Sequence, residues 1–287
     1  MSLGLDLDGL RQKIEALFDN TPPNYGDEEQ ALFLQFRDLL DSGTIRSAEP
    51  DPDEPSGWRV NPWVKKGILL GFRIGSLVEM PGLATPSQFF DKSTYPLRSL
   101  SLADRVRVVP GGSSIRSGCF VAAGVTCMPP MYVNAGAHID EGTMIDSHAL
   151  IGSCAQIGRK CHISAAAQIG GVLEPVGALP VIIEDEVLVG GNCGVYEGTV
   201  VKRSAVLGSG TILNSSTPVF DLVREVVHRP SDGQPLIIPE GAVVVAGART
   251  LKSGVAKDWG ISVYAPVIVK YRDDRTAGKT QLEDLLR

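Results

Sequence analysis

Residues 115–169 read IRSGCFVAAGVTCMPPMYVNAGAHIDEGTMIDSHALIGSCAQIGRKCHISAAAQI, and their six-residue period decides the fold. Stepping by six from Ile115 lands on Val121, Cys127, Val133, Ile139, Ile145, Ile151, Ile157, Ile163 and Ile169, all apolar. After a break the phase resumes at Ile183 and runs through Val189, Val195, Val201, Leu207 and Leu213. Four residues after most of these stands a small residue, among them Cys119, Ala137, Thr143, Ala149, Ala155, Cys161, Ala167, Cys193, Thr199, Ala205, Thr211 and Thr217. An aliphatic residue every six, with a small partner between, describes short strands whose inward side chains stack rung upon rung. Gly, Asn, Asp and Ser suit the tight corners because they tolerate left-handed angles or hydrogen-bond the backbone locally. Three hexads, about 18 residues, close one triangular coil of a parallel β-helix.

The composition agrees with such a coil. Of 287 residues 32 are Gly, while Trp, Tyr and Phe number 3, 6 and 8, so the core is filled by small and branched aliphatic side chains. Lys plus Arg is 27 against 33 for Asp plus Glu, a formal net charge of -6, which argues against a nucleic-acid partner bound by phosphate neutralisation. Five cysteines, at 119, 127, 154, 161 and 193, form no CxxC pair and are odd in number, so reduced thiols in a cytoplasm are expected. The apolar N-terminal stretch is threaded with charges, and no run approaches the roughly 18 residues of a membrane span. A soluble, unprocessed, cytoplasmic protein with no membrane partner is the expectation.

Two regions flank the coil. Residues 5–19 and 27–41 carry apolar residues at helical spacing with acidic first turns, joined by the turn TPPNYG. Residues 47–57, SAEPDPDEPSG, read as a linker, and residues 58–72, WRVNPWVKKGILLGF, as a third helix with Pro62 near its start. Residues 220–237 interrupt the coil as a hairpin, IPEGAVVVAGA reads as a last partial turn, ISVYAPVIVKY as a strand and QLEDLLR as a terminal helix. The expected organisation is a mainly helical N-terminal domain over 1–100, a β-helix over 101–250 with loop insertions at 128–132, 170–182 and 220–237, and a C-terminal strand and helix over 251–287. The helical domain and the C-terminal extension would cap the open ends of the solenoid.

The hexads resemble the hexapeptide-repeat family, whose coils are left-handed; the handedness follows from that resemblance. Chemistry must come from residues that break the pattern: Met128-Pro-Pro-Met-Tyr132, the expelled loop Gly170-Gly-Val-Leu-Glu-Pro-Val-Gly-Ala-Leu-Pro180, and Asp146 on a corner. Here the sequence resembles the tetrahydrodipicolinate N-succinyltransferases. The matching segments are Arg107-Val-Val-Pro-Gly111, Asp140-Glu-Gly-Thr-Met-Ile-Asp146, Gly152-Ser-Cys-Ala-Gln-Ile-Gly158 and Gly170-Gly-Val-Leu-Glu-Pro175, with Val60-Asn-Pro-Trp-Val-Lys-Lys66 and Val267-Ile-Val-Lys270 outside the coil. The resemblance implies transfer of a succinyl group from succinyl-CoA to the amine of ring-opened tetrahydrodipicolinate, 2-amino-6-oxopimelate, in the diaminopimelate and lysine pathway. It also implies a homotrimer with sites between subunits, with succinyl-CoA as a cosubstrate and no metal or tightly bound cofactor. An acetyl-CoA-dependent enzyme on the same acceptor and a non-catalytic β-helix scaffold are the competing readings.

By residue match, Arg107 and Asp146 fall on the family's substrate-binding positions. A guanidinium can grip one of the acceptor's two carboxylates through paired hydrogen bonds, and Asp146 can hold the substrate ammonium and then take its proton. Backbone N–H groups at Gly170 and Gly171 could face CoA or a tetrahedral oxyanion, and Lys202, Arg203 and Lys270 are candidate contacts for the CoA phosphates. One departure matters: the family commonly places a second catalytic acid where this chain has Gly194, so a two-carboxylate mechanism does not carry over intact; Glu197, nearby in sequence, is the candidate catalytic substitute, with water or a carboxylate from another coil as alternatives. The plainer readings are that Asp146 forms a turn, Arg107 a structural ion pair, and Lys65 and Lys66 a solvated helix face. His148 is a weaker candidate base, His138 and His162 read as corner residues, and Cys119, Cys127, Cys161 and Cys193 as core, while Cys154 lies outside both registers with no base paired to it.

Overall fold

The structure, a computed structural model, describes residues 6–80, 89–231 and 233–272. Three helices open it: α1 (Leu7–Asp19), α2 (Asp27–Asp41) and α3 (Pro62–Ile74). Asp6 caps α1 by accepting from the Gly9 N–H at 2.8 Å, and the Glu29 carboxylate accepts from the Gly26 N–H at 2.6 Å at the start of α2. The helices bury Ile14, Phe33, Phe36, Ile68 and Leu70 against one another. Close approach depends on Gly67 and Gly71 of α3, where a Cβ would lie 2.4 Å from the rings of Phe36 and Phe33.

Two expectations for this region change. The acidic linker is the tip of a hairpin, with Ala48–Pro50 antiparallel to Trp58–Val60. The third helix therefore begins at Pro62, not Trp58, because a residue before proline is held out of the helical region and proline itself suits the first helical position. A second hairpin, Leu77–Met80 with Phe89–Lys92, follows α3.

The coil is a parallel β-helix of three sheets built from two-residue strands. A first face stacks Phe120–Val121, His138–Ile139, Gln156–Ile157, Ile182–Ile183, Val200–Val201 and Ile237–Ile238. The second stacks Arg107–Val108, Thr126–Cys127, Met144–Ile145, His162–Ile163, Leu188–Val189, Val206–Leu207 and Ala242–Val245. The third stacks Ser114–Ile115, Tyr132–Val133, Leu150–Ile151, Gln168–Ile169, Gly194–Val195 and Ile212–Leu213. Every aliphatic position of the six-residue row is buried, and so are its small partners from Cys119 to Thr211. Buried threonines are satisfied locally: the Thr143 hydroxyl donates to Gly158 C=O at 2.8 Å and that of Thr199 to Tyr196 C=O at 2.7 Å. Thr217 is only half-buried, since the chain is leaving the coil there.

The corners adopt positive φ once per hexad, at Gly118, Gly124, Gly136 and Gly142 but also at His148, Cys154, Lys160 and Ala166. Left-handed corners are thus not reserved for glycine and short polar residues; the ladders on both sides hold even bulky side chains there, at about 1–2 kcal/mol each.

The expected insertion at 128–132 is absent. Thr126–Cys127 and Tyr132–Val133 keep their six-residue step and both stay paired, because Pro129 and Pro130 occupy a corner, outside the strand ladder where a missing N–H would matter. The loop between Ile169 and Ile182 does leave the coil. Residues 220–237 contain a hairpin, Val219–Asp221 with Val226–His228, whose first strand also pairs with Val267–Tyr271. ISVYAPVIVKY forms two strands, Ser262–Tyr264 and Val267–Tyr271, split at Ala265-Pro266. A short helix, α4 (Gly254–Asp258), precedes them. QLEDLLR lies outside the described residues.

The N-terminal region covers the first face, whose outward residues Gln156, Ile182 and Val200 are fully buried. Chemistry must therefore use the second and third faces.

Candidate active site

Arg107 and Asp146 share the second face. Arg107 stands in register with Thr126, and Thr126 with Met144, two residues before Asp146; two ladder steps, roughly 10 Å, separate Arg107 from Met144. The Arg107 side chain is exposed and forms no ion pair among the described residues. Asp146 is half-buried on the corner after Met144–Ile145; its Oδ1 accepts from the Ser147 N–H at 2.7 Å, and its Oδ2 lies 3.8 Å from His162 Nε2. His162 is no corner residue: it points outward from a strand, one coil above Met144. The 18-residue spacing from 144 to 162 could have placed it beside Asp146. His138 is likewise a strand residue, stacked on Phe120 with ring centroids 4.6 Å apart, and burial beside Arg46 lowers its pKa to about 3. His148 is exposed and takes the left-handed corner position, φ 63°.

A groove of ≈ 1310 Å³ runs along the third face, between it, the Trp58 hairpin and the expelled loop; Gly170, Gly171, Tyr196 and Glu197 line it. Asp146 and Arg107 do not, so one chain does not bring the two sets together. The Gly170 N–H is used on Val195 C=O at 2.8 Å, whereas the exposed Gly171 N–H has no partner among the described residues. Glu197 is an exposed corner residue whose carboxylate accepts from the N–H of Ser215 at 2.8 Å and from the Ser215 hydroxyl. Those two hydrogen bonds hold its carboxyl below the ordinary range, which weakens it as a proton acceptor.

The proposed phosphate cations are partly engaged. Lys202 Nζ donates to Ser56 C=O at 2.7 Å and Glu184 at 2.8 Å, tying the hairpin to the coil. Arg203 pairs with Glu186 at 2.9 Å and borders a smaller cavity of ≈ 430 Å³ beside Arg46 and Asp140. Lys270 lies in the end strand, opposite Val243. Lys66 pairs with Asp19 at 2.9 Å, but Lys65 is not on a solvated face: it is fully buried and donates to Ala178 C=O in the expelled loop. Helix periodicity alone could not show that a loop more than a hundred residues later covers this face. All five cysteines are buried and free. Burial pushes Cys119 and Cys127 up to about 12 and Cys154 to about 11, so they are not nucleophiles. Among the described residues no cluster of His, Cys, Asp and Glu could hold a metal ion, and no helix is long and apolar enough to cross a membrane.

Residues 9–74 match the family described as tetrahydrodipicolinate N-succinyltransferase N-terminal, and residues 180–215 the hexapeptide repeat of succinyl-transferase. The relatives are 2,3,4,5-tetrahydropyridine-2,6-dicarboxylate N-succinyltransferases. That of Afipia carboxidovorans is 38% identical over 291 residues, covering 99% of this chain and 100% of its own. That of Sodalis glossinidius is 38% identical over 289 residues, covering 98% and 99%. That of Paraburkholderia xenovorans is 44% identical over 253 residues, covering 86% of each chain. With a left-handed hexapeptide coil, a helical N-terminal region docked on one face and this likeness along nearly its whole length, the chain belongs to the tetrahydrodipicolinate N-succinyltransferase family.

Proposed function

We propose that this enzyme transfers the succinyl group of succinyl-CoA to the amine of ring-opened tetrahydrodipicolinate, in diaminopimelate and lysine biosynthesis in the cytoplasm. The observation that carries the reading is the likeness to the Afipia enzyme over 99% of the chain. In the reaction the ammonium gives one proton to solvent, the resulting amine nitrogen bonds to the thioester carbonyl carbon, the C–S bond breaks, and sulfur leaves with the electron pair and takes up the proton that nitrogen has shed to Asp146, becoming the CoA thiol. Asp146 holds the ammonium and takes the proton that nitrogen loses, while Arg107, exposed on the same face, grips an acceptor carboxylate. The Gly171 N–H offers a donor in the groove, and Lys202, Arg203 and Lys270 are the candidate cations for the CoA phosphates; at Lys202 and Arg203 a phosphate would have to displace Glu184 and Glu186.

The family resemblance implies a homotrimer as the working unit; Asp146 and the groove lie on different faces of one chain, so a site that uses both takes the second face of one protomer and the third face of the next. Thiol release with succinyl-CoA or acetyl-CoA, with and without the acceptor, tests the reading. Acceptor-dependent release from succinyl-CoA is expected; release with neither donor would overturn enzymatic function, and preference for acetyl-CoA would replace the donor. Mass photometry should give three times the chain mass.

A further inference from the structure

Gly194 stands outward on the third face, in register with Gln168 and Ile212, yet the space a side chain would take there is filled. The ring of Tyr196 folds back over it: a Cβ on Gly194 would lie 2.5 Å from Tyr196 Cε2 and 2.8 Å from its hydroxyl oxygen. Gly170, one coil below, makes the other half of the bed, since a Cβ there would meet Tyr196 Cδ1 at 2.8 Å. Two glycines on adjacent coils thus pin one aromatic ring on the wall of the groove. Tyr196 is half-buried, and its hydroxyl makes no hydrogen bond among the described residues.

We infer that Tyr196 supplies the groove with a hydrogen-bond donor at the outward position Gly194 leaves bare, and that this donor serves the thioester oxygen of the acyl-CoA. The inference rests on the succinyl-transfer reading and deepens it. A phenol carrying its proton donates to an oxygen and does not hold an ammonium as a carboxylate would. It therefore suits the oxygen that gains charge when the amine attacks and the C=O electron pair moves onto it. Collapse of that oxyanion restores C=O and expels sulfur. Tyr196 keeps its own proton throughout, and the nitrogen's proton goes to Asp146. The ring lies against the backbone of two adjacent coils, which positions the hydroxyl before the charge develops.

The test is steady-state kinetics of Tyr196→Phe, Gly194→Ala and the double variant with succinyl-CoA, alongside melting temperatures. Tyr196→Phe keeps the ring in its bed and should leave melting unchanged while lowering kcat by about 10²-fold, with KM for both substrates nearly constant. Gly194→Ala must displace the ring and should lower kcat comparably. The double variant should lose little more than either single one, because both act on the same hydroxyl. Wild-type kcat in Tyr196→Phe, a rise in KM alone, or a loss that follows the melting temperature would overturn the assignment while leaving succinyl transfer intact. No acceptor-dependent turnover by the wild type would instead overturn the reading on which the assignment rests.

Discussion

Asp146 and Glu197 are both corner carboxylates of the β-helix, on different turns, and their surroundings give them different work. Asp146 keeps one oxygen toward His162 on an open face, whereas Glu197 is committed to Ser215. Asp146→Asn should lower kcat by about 10²–10⁴-fold, the range for loss of a positioned acid or base. Glu197→Gln should leave kcat within a few-fold and loosen only its corner; thiol-release rates for the two variants decide this. The cysteines give a second residue-scale test. With all five buried and the thiols of Cys119, Cys127 and Cys154 held to high pKa by burial, the folded protein should resist iodoacetamide at pH 8. Guanidinium should expose all of them, as intact mass would record. Rapid labelling of the native chain would contradict the packing.

At the scale of elements, α3 sets the position of the expelled loop. Lys65 lies one helical turn from Ile68, which packs on the corner at Gly136, and its ammonium is taken up by Ala178 C=O. Burial lowers the Lys65 pKa, so the contact is bought by desolvation and its value to overall stability is small. Lys65→Met should therefore shift the melting temperature by only a few degrees in either direction. Hydrogen exchange in residues 171–180 should accelerate severalfold, because the loop loses the donor that holds it at Ala178. Unchanged exchange there would mean that Val172 and Leu173, which pack inward, hold the loop unaided.

For the whole molecule, stability depends on closing the far end of the solenoid, and Asp221 is the knot. Its side chain accepts from Tyr271 Oη at 2.6 Å and from the N–H groups of Val223 and Arg224, both at 2.9 Å, joining the excursion hairpin to the end strand. Burial pushes this carboxyl upward, but the hydrogen bonds from Tyr271, Arg224, His228 and Val223 together prevail and leave it below its ordinary 3.8. A carboxyl with a depressed folded pKa contributes stability above the unfolded value and loses it as pH falls through the folded one. Melting should hardly change from pH 7 to 5 on account of this group and should fall below pH 3.8. Each 1 kcal/mol lost lowers Tm by roughly 2–4 °C in a domain of 150–250 residues. Asp221→Asn should flatten that acid limb; an identical limb in the variant would assign it to other carboxylates.

The six-residue row determined the coil by itself, because the direction of a side chain in a β-helix is a strictly local, periodic property. It assigned the inward positions from Ile115 to Leu213 and placed Asp146 on a corner. The helices Leu7–Asp19 and Asp27–Asp41 were legible for the same reason, through a 3.6-residue period and acidic first turns. What needed the tertiary structure was every pairing between distant segments: Lys65 with Ala178, Lys202 with Ser56, His162 beside Asp146, and the Tyr196 ring over Gly194 and Gly170. The glycine pair at 170–171 looked like room for a ligand, but Tyr196 fills half of it. Periodicity says which way a side chain leaves the backbone; only the packed molecule says what already occupies the space it enters.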